Sequence, residues 1–193
     1  MVNIKHSEDL ISVTFEEDIV LEENMFFSMA NVRICKGTFI GKGTTIRANV
    51  VINPNVHIGR NCQIGNNAFI REYVVIEDNV KIGFSTAIEP HAFIGTGTST
   101  QGFCMISEYS SIGKNVFLGP YFNNPADNTI GKPEGEYIAN PAVIEDDCRF
   151  GSSVKITPGN TIRKGTIIGA GSLVTKDTEP NSLYYGTPAR RIK

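Results

Sequence analysis

Three histidines, four cysteines and an uneven charge distribution hold most of the reactive chemistry in this 193-residue chain. His6, His57 and His91 are 51 and 34 residues apart, too scattered for a metal site, whose ligands recur at short spacings. Cys35, Cys62, Cys104 and Cys148 form no CxxC pair and read as buried thiols. No metal is therefore expected. His91 and Glu108 are the candidates for proton transfer, a role worth roughly 10²–10⁴-fold in rate when the group sits within reach of the reacting atom. Residues 149–193 carry eight Lys or Arg against two acids, a net +6, which leaves −8 on the rest. A basic end on an acidic protein suits a small polyanionic ligand better than nucleic acid; plain solvated charge is the alternative.

What must hold these groups is a six-residue repeat. IGRNCQIGNNAF (Ile58–Phe69) is two phrases in tandem, each opening Ile-Gly with Asn in fourth place. Stepping by six from Ile34 gives isoleucine at nearly every stop to Leu118; the register breaks after Asn123 and resumes at Ile138, Ile144, Phe150, Ile156, Ile162, Ile168 and Val174. Of these 22 places 21 are apolar, Thr100 being the exception; composition alone would give roughly nine. Period six excludes an amphipathic helix and fits short strands joined by tight corners. The fifth place, small or β-branched in Thr38, Val50, Cys62 and Ala68, also points inward along the strand. The fourth place is Gly, Asn or Asp in 14 of 22 phrases, residues that tolerate positive φ. Three phrases make a triangular coil of 18 residues, about seven coils in all at roughly 4.8 Å each. The expected fold class is all-β, a parallel β-helix over 31–178, with a cap at 1–30, an inserted loop at 124–137 and a tail at 179–193.

Sorting the fourth places by edge shows where the rule fails. One edge, Gly43, Asn61, Asn79, Gly97, Asn115, Asp147 and Gly165, has no exception. The second carries Tyr73, His91 and Tyr109; the third carries Ser85, Phe103, Tyr121 and Ser153. Exposed aromatic corners point to contact with something, and local rules break most often at functional sites. His91 lies on the aromatic edge one coil below Tyr109, beside Glu108; a corner residue stacked between Tyr73 and Tyr109 is its plainer reading. The polar insertion NPADNTIGKPEGEY (Asn124–Tyr137) could cover a cleft or reach a neighbouring subunit.

The repeat, with IIGAGSLVTKD (Ile167–Asp177) and YYGTPARRI (Tyr184–Ile192), closely resembles the hexapeptide-repeat acyltransferases. That resemblance implies left-handed coils, a homotrimer with active sites at subunit interfaces, and acyl transfer from acetyl-CoA. It implies Ser152, Ser153, Gly169 and Ala170 along the pantetheine arm, though corner geometry alone would also explain the glycine. Lys176, Arg190 and Arg191 are implied near the nucleotide phosphates. The branch that acetylates sugar hydroxyls carries a histidine in the segment matching Phe122–Asn128, and this chain has none there. A hydroxyl needs a strong general base and a neutral amine does not, so N-acetylation is favoured. ISEYSSIGKNVFLGPYFNNP (Ile106–Pro125) resembles most the branch acting on nucleotide-linked amino sugars, although FNN replaces that branch's FTN. There Asn123, Asn124 and Asp127 are expected at the sugar, with Tyr109 and Tyr121 as further substrate contacts. An O-acetyltransferase of a sugar or serine, or a non-catalytic scaffold, are the alternatives. A γ-type carbonic anhydrase would need three zinc histidines, two of them five residues apart, and is rejected. Neither nucleic acid nor membrane is an expected partner. No apolar run could span a bilayer and the N-terminus lacks the apolar core of a signal peptide; a cytoplasmic location is the expectation.

Overall fold

In the computed structural model the described residues are 31–130 and 137–193, together with the backbone of four short strands, Lys5–His6, Val13–Phe15, Val20–Leu21 and Phe26–Phe27. The architecture is all-β, a parallel solenoid of about eight turns, consistent with the left-handed coil that the resemblance implies. Three ladders of two-residue strands form its faces: sheet A with 11 strands, sheet B with nine and sheet C with eight. Each strand pairs with the one three elements on. Gln63–Ile64 therefore lies between Thr45–Ile46 and Lys81–Ile82 in sheet A. Phe69–Ile70 lies between Val51–Ile52 and Ala87–Ile88 in sheet B.

The turn count exceeds the expected seven because strands at Val13–Phe15, Val20–Leu21 and Phe26–Phe27 take one rung in each ladder below Val32. Apart from these strands and Lys5–His6, the expected 1–30 cap lies outside the described residues. At the other end Leu183–Gly186 and Ala189–Arg191 form an antiparallel hairpin that continues sheet A, turning at a cis Thr187–Pro188 bond.

The first-place isoleucines meet on the prism axis with no exposed surface from Ile34 to Ile76, joined by fifth-place Val50, Cys62, Ala68 and Val74. Alternation along each strand produces this: one residue of each pair faces in and the other faces out. All four cysteines are buried and unbridged, and burial pushes the thiols of Cys62, Cys104 and Cys148 above their ordinary range. Fourth-place corners hold positive φ in residues as different as Asn55 at 60°, Tyr73 at 62°, His91 at 60° and Tyr121 at 61°. Second-place glycines have a different cause. A Cβ on Gly65 would stand 2.7 Å from the Gly83 carbonyl carbon in the next coil, so close stacking of coils selects glycine there. Among the described residues no helix is long and apolar enough to cross a membrane.

Two expectations about the break in the repeat are corrected. Asn124 does not open the loop: Asn123–Asn124 is a strand of sheet B, paired with Met105–Ile106. Ile138 is not an inward rung; it is 67% exposed, and the ladder resumes at Ala142 and Ile144. The excursion therefore runs between Ala126 and Asn140, and the Asn140 amide closes its base by donating to the Ala126 carbonyl at 2.7 Å.

Candidate active site

Sheet B carries the candidate site because both irregular edges border it. Tyr73, His91 and Tyr109 turn the chain from sheet B to sheet C; Phe103, Tyr121 and Ser153 turn it from sheet A to sheet B. Each edge is an aromatic ladder. His91 stacks between Tyr73 and Tyr109, ring centroids 4.9 Å away on either side and planes within 4°. Phe103 stacks on Tyr121 at 5.1 Å and meets Phe84 edge-on at 4.9 Å. Coil spacing of about 4.8 Å sets these distances.

Between the edges, the second-place residues of the B-to-C corner stack as a column: Arg71, Glu89, Ser107 and Thr157. They line one side of a cavity of about 740 Å³. Met105 and Asn123 of sheet B, Glu108, and Asp127 and Tyr137 of the excursion are among the residues that line the rest. Arg71 is held from two directions, donating to Glu72 Oε1 at 3.0 Å and to Glu89 Oε2 at 2.9 Å. Those bonds, that to Glu72 foremost, keep its guanidinium firmly protonated. The Glu72 carboxyl is held below its usual range by its own backbone N–H and then by the Asn53 amide. Asp127 accepts from the Thr129 amide at 2.6 Å and hydroxyl at 2.8 Å, which lowers its pKa and keeps it ionised. Tyr137 reaches down one coil from the excursion and donates its hydroxyl to Glu108 Oε1. That bond, with burial and the charge of Glu108 behind it, pushes the phenol up to about 12.

The structure thus brings Glu108, Asn123 and Asp127 around one cavity. It leaves His91 and Tyr109 stacked along the neighbouring edge, and neither lines the cavity. Tyr121 stands half-exposed on the opposite edge. Asn124 is taken off the surface altogether: it is 0% exposed and occupies the inward place that isoleucine holds elsewhere, so it cannot touch a ligand on the face. Arg71, Glu89 and Tyr137 were not among the expected residues.

The residues expected at the donor border the same sheet. Lys176, Asp177, Tyr184, Arg190 and Arg191 line a second cavity of about 240 Å³ at the last coil. The antiparallel hairpin brings Arg191 opposite Tyr184 and Arg190 opposite Tyr185. The two cavities are one rung apart, because the Thr157 amide below donates to the Val174 carbonyl above at 2.9 Å. Ser152, Ser153 and Ala170 lie exposed at the A-to-B corner of the final coils, where the Gly171 amide donates to the Ser152 carbonyl at 2.8 Å. The amides of Ser153 and Gly169 are engaged by the Pro120 and Tyr184 carbonyls, at 2.7 and 2.9 Å. A Cβ on Gly169 would strike the Tyr185 ring. Packing against the closing hairpin therefore explains that glycine without a ligand. The described residues contain no cluster of three or more His, Cys, Asp or Glu able to hold a metal.

Comparison with known proteins gives the class. Residues 34–122 match the family model described as the GMPPB C-terminal domain, and 141–176 match the hexapeptide repeat of succinyl-transferase. The galactoside O-acetyltransferase of Escherichia coli is 30% identical over 138 residues, covering 64% of this chain and 68% of that protein. The chain belongs to the hexapeptide-repeat acyltransferase family. Among solved structures, the UDP-N-acetylglucosamine acyltransferase from Campylobacter jejuni superposes with a TM-score of 0.68 at 19% identity, over 97% of this chain and 73% of that one. The Arabidopsis UDP-N-acetylglucosamine acyltransferase does so at 0.59 and 16% identity, over 94% of this chain and 72% of that one. At such identities these two likenesses establish the fold.

Proposed function

We propose that the protein is an acyl-CoA-dependent N-acyltransferase that acetylates the amine of a nucleotide-linked amino sugar. The observation that carries this reading is the charge of the large cavity. Its ionisable lining includes three carboxylates, Glu89, Glu108 and Asp127, against the single guanidinium of Arg71, a formal −2, and no histidine. Such a cavity attracts an ammonium group and offers a carboxylate to take its proton. It does not offer the imidazole that would most readily activate a hydroxyl. Family membership supports an acyl-CoA donor, and the basic cavity at Lys176, Arg190 and Arg191 suits the nucleotide phosphates. The thioester arm then runs along sheet B past Ser152, Ser153 and Ala170 toward Glu108.

In this mechanism Glu108, rather than His91, takes the proton from the acceptor ammonium. The neutral nitrogen attacks the thioester carbonyl, the carbon–sulfur bond breaks, and the proton that the nitrogen then sheds passes to the departing sulfur, so the coenzyme leaves as the thiol. Asn123 and Asp127 orient the sugar, while Tyr109 and Tyr121 offer aromatic surface to the ring or the base. A homotrimer would set sheet B against a neighbouring subunit and close the cleft. A second reading, transfer to a sugar hydroxyl, is favoured by the similarity to the galactoside O-acetyltransferase. Thiol release from acetyl-CoA, measured with amino sugars, their nucleotide-linked forms and hydroxyl-only sugars, separates the two. Turnover confined to the hydroxyl sugars would sink the N-acyl reading.

A further inference from the structure

We infer that Asn124 is a positioning residue for Glu108, acting from inside the prism; the inference rests on Glu108 being the proton acceptor. Among the described coils from Ile34 to Val174 every other one closes its core at this place with an apolar residue or, once, with Thr100. Asn124 buries a primary amide there, at 0% exposure, where an unpartnered amide would be strongly unfavourable. Its partners belong to the corner that carries Glu108. Asn124 Nδ2 donates to Ser110 Oγ at 2.8 Å, and Ser110 Oγ donates to the Ser107 carbonyl at 2.5 Å. Asn124 Oδ1 accepts the Ser107 amide at 3.4 Å, a long contact.

That last contact replaces a rung. Equivalent amides one and two coils below, Glu89 and Arg71, donate to the backbone carbonyls of Ile106 and Ile88, at 2.8 and 2.9 Å. At Ser107 the acceptor is a side chain. Thr100 intercepts the Gly83 amide in the same way at 2.9 Å on sheet A. Only at Asn124 does the substitution also grip the far end of the turn, through Ser110. Ser107 and Ser110 flank Glu108 and Tyr109, so the trio fixes both ends of the segment that presents the carboxylate. Asn124 also directly precedes Pro125, where the chain leaves the coil to make the excursion that returns as Tyr137 onto Glu108. One buried side chain thereby ties the turn below to the root of the loop above.

The test restores the repeat. Ser110→Val with Asn124→Ile makes this coil conform to its neighbours, so the fold should keep its parallel-β circular dichroism and its melting temperature. The inference expects kcat to fall at least tenfold, KM for acetyl-CoA to stay within twofold, and the pH–rate profile to move. Ser110→Ala should do the same to a smaller extent. Ser110→Thr, which keeps the hydroxyl at a fifth place that Thr86 and Thr98 fill in other coils, should restore most of kcat. If the double variant does not fold, the alanine and threonine pair decides alone. Wild-type kcat and pH profile in the double variant, or equal kcat in the alanine and threonine variants, would overturn the inference, provided Glu108→Gln is impaired. Full activity in Glu108→Gln instead overturns the reading beneath it.

Discussion

Replacing His91 and Glu108 separately distinguishes a corner residue from a base. In His91→Asn two parallel stacks at 4.9 Å are lost, each worth roughly 0.5–1.5 kcal/mol, so about 1–3 kcal/mol together. Against this, Asn accepts the left-handed corner at φ 60° more readily than imidazole does; that conformation costs an ordinary side chain roughly 1–2 kcal/mol. The net effect lies between a gain of about 1 and a loss of about 2 kcal/mol. For a domain of this length each kcal/mol moves Tm by roughly 2–4 °C, so a fall of at most about 8 °C is expected. Turnover should stay within threefold, because the imidazole does not line the cavity. Glu108→Gln should leave Tm within a few degrees and slow kcat by roughly 10²–10⁴-fold, about 2.7–5.4 kcal/mol of barrier. Differential scanning fluorimetry and thiol release on the same preparations read both quantities. A hundredfold loss of kcat in His91→Asn at unchanged Tm, with Glu108→Gln active, would refute the assignment.

Exchanging both Arg190 and Arg191 for Ala should raise KM for acetyl-CoA at least tenfold and weaken its thermal stabilisation of the protein; unchanged donor affinity would count against the basic cavity. Tyr137 is raised to about 12 by Glu108, so its bond is intact below the unfolded value near 10 and is lost as pH rises through the folded one. Tyrosinate absorbance should therefore show a late step that Tyr137→Phe lacks, and identical curves would deny the bond. The Glu77 carboxyl is held down by the Thr96 hydroxyl and then its amide. Its contribution is present above the unfolded value near 4.5 and is lost as pH falls, so Thr96→Val should raise the acid-unfolding midpoint; no movement would contradict this. Light scattering should give about 63 kDa, three times the 21.1 kDa chain, and a monomer would remove the subunit cleft.

The column of isoleucines was legible from the sequence because inward positions in a two-residue strand admit almost nothing else. The aromatic edges were legible because sorting by three follows the coil. The same sorting applied to second places would have exposed the cavity wall. Of the nine second-place glycines, none falls at the B-to-C corner, which reads Cys35, Asn53, Arg71, Glu89, Ser107, Pro125, Thr157 and Thr175. Close coil stacking selects glycine at the other two corners; a corner that opens onto a cavity is free of that pressure. Asn124 and Ile138 were misread for a related reason. Period and polarity predicted that isoleucine goes in and asparagine out, whereas the ladder ran one phrase further and its hydrogen bonds to Ser107 and Ser110 made a buried amide tolerable. Tyr137 on Glu108 depends on the path of the excursion, which no periodicity encodes.

The distribution of conformational strain also points to sheet B. The C-to-A edge is built only from Gly, Asn and Asp, the residues that adopt positive φ most readily. The two edges beside sheet B instead hold tyrosine, histidine and phenylalanine at φ between 57° and 62°. Stacking within each edge offsets part of that strain but does not require exposure, since the same contact area would be worth more in the core. Stability alone therefore favours Asn at these corners, as at Asn55 and Asn67. What the aromatics add is a pair of rigid walls on either side of one face. That face also bears the only excursion of the described coils, the acidic cavity beneath it and, one rung above, the basic cavity of the last coil. Strain, charge and insertion converge on one of three otherwise equivalent sheets, which is what the proposed pairing of a charged donor with a charged acceptor requires.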